Sequence, residues 1–366
     1  MMNMRLLEQP APAGSRDVDQ LISWILDTLD LIRRKGDEWS GEGVHTPLHR
    51  LLRDYFLEHP NQGWDVQALG DEIGLSAPAL HHQISKLSEC GLTGAVNREG
   101  WRVHHLRNGS LSNAVEMMAV EGRLVLNQRL RALNHWMKES KSRMDIPSEK
   151  SSDVPLRIHI KARAPLTDGQ DEMDAFLQDL GLYGDRVRSG PDGGPPLGRA
   201  IFEHLLEADS PLSLDEALEK WGTTRPRLTR TLDRFCAAGL VERVPRNDRL
   251  PVTLWSAIVS QHGRRGSEWL VSKGGLGRID TRTSNKIVKA LDSNSLNVEE
   301  SEKILAKIPA KEQMIMLNLL GGRLPVGWRL TGENADAVRE RVLSRADRTF
   351  RRMKRVAESL EKIINT

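Results

Sequence analysis

The stretch "LSAPALHHQISKLSECGL", residues 75–92, decides the reading of the chain. Leu80, Ile84 and Leu87 recur at helical spacing and form a stripe that must face a core. Ser76 stands where a helix N-cap belongs, Pro78 sits in the first turn where a missing N–H costs little, and Gly91 ends the helix. With that stripe inward, His81, His82, Ser85 and Lys86 occupy the outer face and Gln83 its flank. Upstream, an amphipathic helix over Leu48–Glu58 is followed by a short one over Val66–Ile73, with Asp65 as its cap and "GLS" as the turn after it. Downstream, Thr93–Val96 and Trp101–Leu106 flank "NREG" and read as a β-hairpin.

The same order recurs later in the chain. "TPLHRLLRDYFLEHP" (46–60) aligns with "PPLGRAIFEHLLEAD" (195–209). After the loss of one loop residue, "VQALGDEIGLSAPALHHQISKLSECGL" (66–92) aligns with "LDEALEKWGTTRPRLTRTLDRFCAAGL" (214–240). Matched positions include Gly74/Gly222, Pro78/Pro226, Leu80/Leu228, Leu87/Phe235 and Gly91/Gly239. A register held through helices and turns together indicates a duplicated unit. In the second copy Ser213 caps the short helix over Leu214–Trp221. Val241–Val244 and Val252–Trp255, around "PRNDRLP", are the expected hairpin.

The string Leu75-Ser76, Leu80, Ile84, Leu87, Gly91-Leu92 resembles the recognition segment of winged-helix transcription regulators of the ArsR and MarR kind. Thr224, Leu228, Leu232, Phe235 and Gly239-Leu240-Val241 resemble it again, over about 60 residues per copy. Copy one departs by placing Ala77 and Ala79 where Ser or Thr is more usual. The fold class that follows is mainly α with small β-hairpins, as tandem winged helix-turn-helix domains joined by long helices. The resemblance implies contact with double-stranded DNA and a role in transcription regulation.

In copy one the residue types that suit base edges and phosphates are Ser76, His81, His82, Gln83 and Lys86, with Arg98 in the hairpin turn. In copy two they are Thr224, Arg225, Arg227, Arg230, Thr231 and Arg234, with Arg246 in the second turn. Asp233 is the exception on an otherwise basic face. A merely solvated or protein-contacting face is the alternative for each. Adjacent His81 and His82 diverge on a helix, and His104 and His105 diverge on a strand. A zinc site would need one of each pair with Cys90, His45 or His49. No metal ligand set, catalytic residue or cofactor is assigned.

Beyond the first hairpin, Val115, Met118, Gly122, Leu126, Leu130, Leu133 and Met137 make an apolar stripe on a helix of about seven turns. It either pairs two copies of the chain or packs against the second unit. "VPLRIHIKARA" (154–164) suggests an isolated strand and Glu172–Leu180 a helix, both without an assigned domain. Asn285–Leu291, Val298–Leu305 and Ala310–Leu320, followed by "GWRL" (327–330) echoing "GWRV" (100–103), suggest a degenerate third copy. From Asn334 another long helix carries an arginine row, Arg341, Arg345, Arg348, Arg352 and Arg355, open to phosphate contact.

The resulting division is an arm and helix over 1–40, a first winged helix over 41–110, a linker or dimerisation helix over 111–145 and a connector over 146–190. A second winged helix over 191–258, a linker over 259–283 and a helical domain over 284–366 complete it. A homodimer would pair through 111–139 or 336–363. The 53 basic and 50 acidic residues among 366 give a net charge of only +3, so location of charge matters more than its sum. Two distant cysteines form no CxxC, and no run approaches a membrane span. A prokaryotic cytoplasmic, nucleoid-associated protein is expected, with no enzyme motif of the GxxxxGK[ST], GxGxxG or HExxH type. A replication or partition initiator on iterated DNA, or a scaffold that binds protein, are the alternatives.

Overall fold

The computed structural model describes residues 2–32, 46–98, 100–147, 154–166, 169–184, 195–293, 295 and 298–365. The "SGPDGGPP" linker lies largely outside them, and His45 entirely so. The described chain is mainly helical with small antiparallel sheets. It opens with β1 (Asn3–Leu7) and α1 (Val18–Thr28), then α2 (Pro47–Arg50), which runs on as a π-helical segment, Leu51–Leu57. Next come β2 (Trp64–Asp65), α3 (Val66–Ile73), α4 (Ala77–Cys90), β3 (Thr93–Arg98), β4 (Trp101–Leu106), α5 (Leu111–Leu130) and α6 (Leu133–Trp136). The second half repeats this order with β5 (Arg157–Lys161), α7 (Glu172–Asp179), α8 (Leu197–Glu207), β6 (Leu212–Ser213), α9 (Leu214–Trp221), α10 (Arg225–Ala237) and β7 (Val241–Pro245).

Here the halves diverge. Val252–Trp255 is not a strand: it lies in α11 (Leu250–Ser272), which has Pro251 in its first turn. Leu250, Leu254 and Ile258 step by four and are all buried, a helical period that outweighs the β-branched residues between them. Then follow α12 (Thr281–Asp292), α13 (Val298–Leu305) and α14 (Ala310–Leu319). These four helices close on their own core, which includes Leu254, Ile258, Leu270, Ile287, Leu305 and Met316. The strand that pairs with β7 is β8 (Val326–Leu330), in register from Val241↔Leu330 to Pro245↔Val326. Thus "GWRL" completes the second sheet, ordered β6-β8-β7, as "GWRV" does the first, ordered β2-β4-β3. The third copy is therefore not a separate unit. A helical insertion fills the turn of the second hairpin, and α15 (Ala335–Ile364) continues copy two.

The two copies face one another across a local two-fold. β1, expected as part of a free arm, pairs antiparallel with β5 in a ribbon centred on Arg5↔His159. Asp17 and Asp171, each twelve residues past that pair, each accept two first-turn N–H groups of the next helix. The strand and helix left unassigned in the connector therefore open copy two as β1 and α1 open copy one. Beneath the ribbon, α5 and α15 run antiparallel. Ser112, at the start of α5, donates from its N–H and hydroxyl to Glu361 near the end of α15 at 3.0 and 2.7 Å. Arg123 pairs with Asp347, each thirteen residues beyond its helix's N-cap. The helices approach closely at Gly122, where a Cβ would lie 2.8 Å from Met4 Cε and 3.1 Å from Phe350 Cζ. The apolar stripe of α5 is thus covered within the chain by α15.

Candidate nucleic-acid interface

Each third helix of a unit is fixed from behind by the stripe that the sequence marks. Leu80, Ile84, Leu87 and Cys90 of α4 are buried, as are Leu228, Leu232 and Phe235 of α10. Phe235 ends an aromatic stack through Phe202 to Phe176, with ring centroids 5.6 and 5.7 Å apart, that ties α10 to α8 and α7. α4 packs on β1 and α10 on β5, so each strand of the ribbon supports one of the two helices.

On α4, His81 and His82 are exposed and Gln83 and Lys86 half-buried, with Ser76 exposed at the cap position. His81 meets His104 edge-on at 6.4 Å. Burial first, then Arg102, His81 and His105, hold the His104 imidazole below its usual range. Arg98 is exposed on the first hairpin opposite Trp101, and Trp101 is 66% exposed. Sequence reasoning missed Trp101 and the also exposed Arg102. Their signal was position alone, at the start of the returning strand.

On α10, Thr224, Arg225, Arg230 and Arg234 are exposed and Arg227 half-buried. Arg225 pairs with Asp215 at 3.3 Å, Arg230 donates to Pro226 O at 3.1 Å, and Arg234 donates to Tyr183 O at 3.3 Å. None of these contacts buries its guanidinium. Two expectations fail. Thr231 is buried and donates to Arg227 O at 3.0 Å, because it stands three residues after Leu228 and so within the core stripe. Arg246 is also buried, holding Asp248 at 2.7 Å and Glu216 at 3.8 Å. It anchors the base of the insertion and is not an outward contact. Exposed Arg243 on β7, 5.9 Å above the Trp328 ring, lies on the outer side instead.

The α15 arginine row is likewise divided. Arg345 is buried, donating to Cys236 O at 3.5 Å and pairing with Glu8, and Arg352 also reaches Glu8, at 3.2 Å. Arg348 and Arg355 are exposed. No group of three His, Cys, Asp or Glu side chains with metal-site geometry occurs among the described residues. Burial pushes the thiols of Cys90 and Cys236 up to about 12, so neither supplies a thiolate at neutral pH. No helix among the described residues is long and apolar enough to cross a membrane. No protein-family model matches the chain, and the search of curated proteins gives no match either.

Proposed function

We propose that the chain is a sequence-specific, double-stranded DNA-binding regulator. In this reading both units are winged helices, with α4 and α10 as reading helices. The observation that carries it is the outer side of α10, where Arg225, Arg227, Arg230 and Arg234 surround a buried apolar stripe with Asp233 as the only acid among them. Arginine grips guanine or phosphate bidentately, and such a face is ill suited to a neutral protein surface. The local two-fold adds a consequence. Two helices related this way present their outer faces in inverted orientation, and the reading requires them to enter successive major-groove segments, as the two subunits of a dimer do. Because α4 presents His and Lys where α10 presents Arg, the half-sites are unlike, and one chain recognises a non-palindromic site.

The test uses R227A, R230A and R234A, titrated against selected and scrambled duplexes at several salt concentrations. An arginine reading guanine contributes about 1–3 kcal/mol at one base pair. One holding phosphate weakens all sequences alike and lowers the salt slope by about one unit. Parent-like binding by all three variants in every condition would refute the reading.

A further inference from the structure

Loop residues 8–17, between β1 and α1, form one wall of a groove whose floor is the C-terminal half of α15. Three adjoining hollows make up the groove, all sharing Arg352. One is bounded by Glu8–Ala11 and Arg348, one by Arg348, Arg351 and Arg355, and one by Ala11–Arg16, Arg355 and Ser359. Six arginines therefore line these adjoining hollows: Arg16, Arg345, Arg348, Arg351, Arg352 and Arg355. The carboxylate that enters them is Glu8, already engaged by Arg345, Arg352 and the Leu156 N–H. Arg16, Arg348 and Arg355 have no ion-pair partner among the described residues. On α15 the arginines from 348 to 355 span about 10 Å of helix axis.

The duplication provides an internal control. Counted from the N-caps of the two long helices, Arg348, Arg352 and Arg355 correspond to Leu124 and Gln128 on α5 and to Arg131 at its C-cap. The fold tolerates a largely neutral row there, so the charge on α15 is not a requirement of packing. Like charges this close repel one another in the free protein unless an anion lies between them.

We propose that this groove binds a linear run of phosphate groups. The first arginines lie beside Arg345, which reaches the C-terminal end of α10, so a nucleic-acid backbone leaving α10 is one source. A small soluble polyphosphate such as a nucleoside triphosphate is the other. The site stands independently of the DNA reading of α4 and α10.

The experiment measures inorganic tripolyphosphate binding to the full chain by calorimetry, and in parallel the salt slope of duplex binding. Parent is compared with R348A/R355A and with R264A/R265A, which removes the same two charges from the inserted helices. The expected result is at least a tenfold loss of tripolyphosphate affinity, or a lower salt slope, in R348A/R355A alone. A change in tripolyphosphate binding with an unchanged duplex slope assigns the site to a soluble ligand, and a change in both assigns it to the DNA backbone. A change in duplex slope without tripolyphosphate binding assigns it to the DNA backbone. Tripolyphosphate binding by a parent that binds no duplex would keep the groove and remove the DNA reading. Equal behaviour of all three proteins in both assays overturns the proposal.

Discussion

The inserted helices can be excised if the second sheet is built as described. Pro245 pairs with Val326, and Arg246 N–H donates to Pro325 O at 2.8 Å, so the ends of the insertion lie side by side across a ladder. Replacing Asn247–Pro325 by Asn-Gly-Thr would close β7 and β8 with a type I′ turn, the threonine supplying the closing N–H that Pro325 lacks. The core of the insertion shares no residue with the main core. What excision removes from the main body is the Asp248 carboxylate from buried Arg246, and the surface pair of Arg249 with Glu216. Hydrogen bonds to a charged group contribute about 1.5–3 kcal/mol, and the surface pair about 0–1. Arg246 keeps Pro211 O and Glu216. The expected loss is about 2–4 kcal/mol.

Displacement of β8 would be much more damaging. Trp328 and Leu330 are both in the main core, and loss of such side chains costs about 3–5 and 2–5 kcal/mol respectively. Urea unfolding followed by far-UV circular dichroism separates the two cases. A loss beyond about 6 kcal/mol, or failure to fold, would mean that the helices are part of one cooperative body.

Other consequences follow from buried polar groups. Arg143, almost fully buried, donates to the carbonyls of Lys138, Leu206, Ala208, Gly332 and Glu333. Arg143→Met should cost at least about 3 kcal/mol, since Leu206 O and Glu333 O keep backbone donors and the other three buried acceptors cost about 1–3 each when unsatisfied, and Arg143→Lys should recover little of it; a parent-like denaturation midpoint for either would contradict this. Burial, as the first cause, depresses the imidazoles of His49, His104 and His204 below 6.5. The unfolded chain then binds more protons than the folded one as pH falls below about 6.5, so stability should drop there and be fully present above it. His104→Leu should flatten the dependence between about pH 7.5 and 5.5, and an unchanged slope would assign it to other groups. Glu242 and Arg329 sit directly opposite on β7 and β8 and are both buried, with Arg329 Nε 2.9 Å from Glu242 Oε1. E242Q alone should therefore destabilise by about 3–5 kcal/mol, and a double-mutant cycle showing no coupling would refute the pairing.

Much of unit one was legible because its signals are local. Cap position, apolar stripe, glycine stop and hairpin all fall within residues 46–106, although Ser76 caps α4 by position only and its side chain accepts no first-turn N–H. The second sheet was not, since β7 and β8 are separated by the whole insertion, and no window along the chain contains both. Nearby Val252–Trp255 offered β-branched residues and filled the gap wrongly. Pro251 and the four-residue period of Leu250, Leu254 and Ile258 pointed the other way. At the interface, Thr231 and Arg246 were placed by residue type. Thr231 belonged to the stripe by spacing, whereas the burial of Arg246 depends on Glu216 and Pro211, which are distant in sequence. The ribbon was illegible for the same reason, because β1 and β5 are each meaningless alone.

The pairing of two copies in one chain permits what a homodimer cannot. The stripe positions agree across the two-fold, as Leu80 with Leu228 and Ile84 with Leu232, and the caps agree, as Asp17 with Asp171. The outward features do not. An insertion fills one hairpin and leaves the other a short turn, one long helix carries the arginine groove, and α10 is arginine-rich where α4 is not. All three asymmetries lie in copy two. From Pro251 to Pro325 alone there are eleven Lys/Arg and seven Asp/Glu, an excess larger than the +3 of the whole chain. Within it Arg282, Lys286 and Lys289 share one exposed face of α12. On the proposed function, copy two then supplies most of the salt-dependent affinity, and copy one, with His81, His82 and Lys86, adds discrimination with fewer charges. R227A/R230A should accordingly lower the salt slope more than H82A/K86A does, while both shift sequence preference. Equal slopes would mean that phosphate contacts are shared evenly despite the unequal charge.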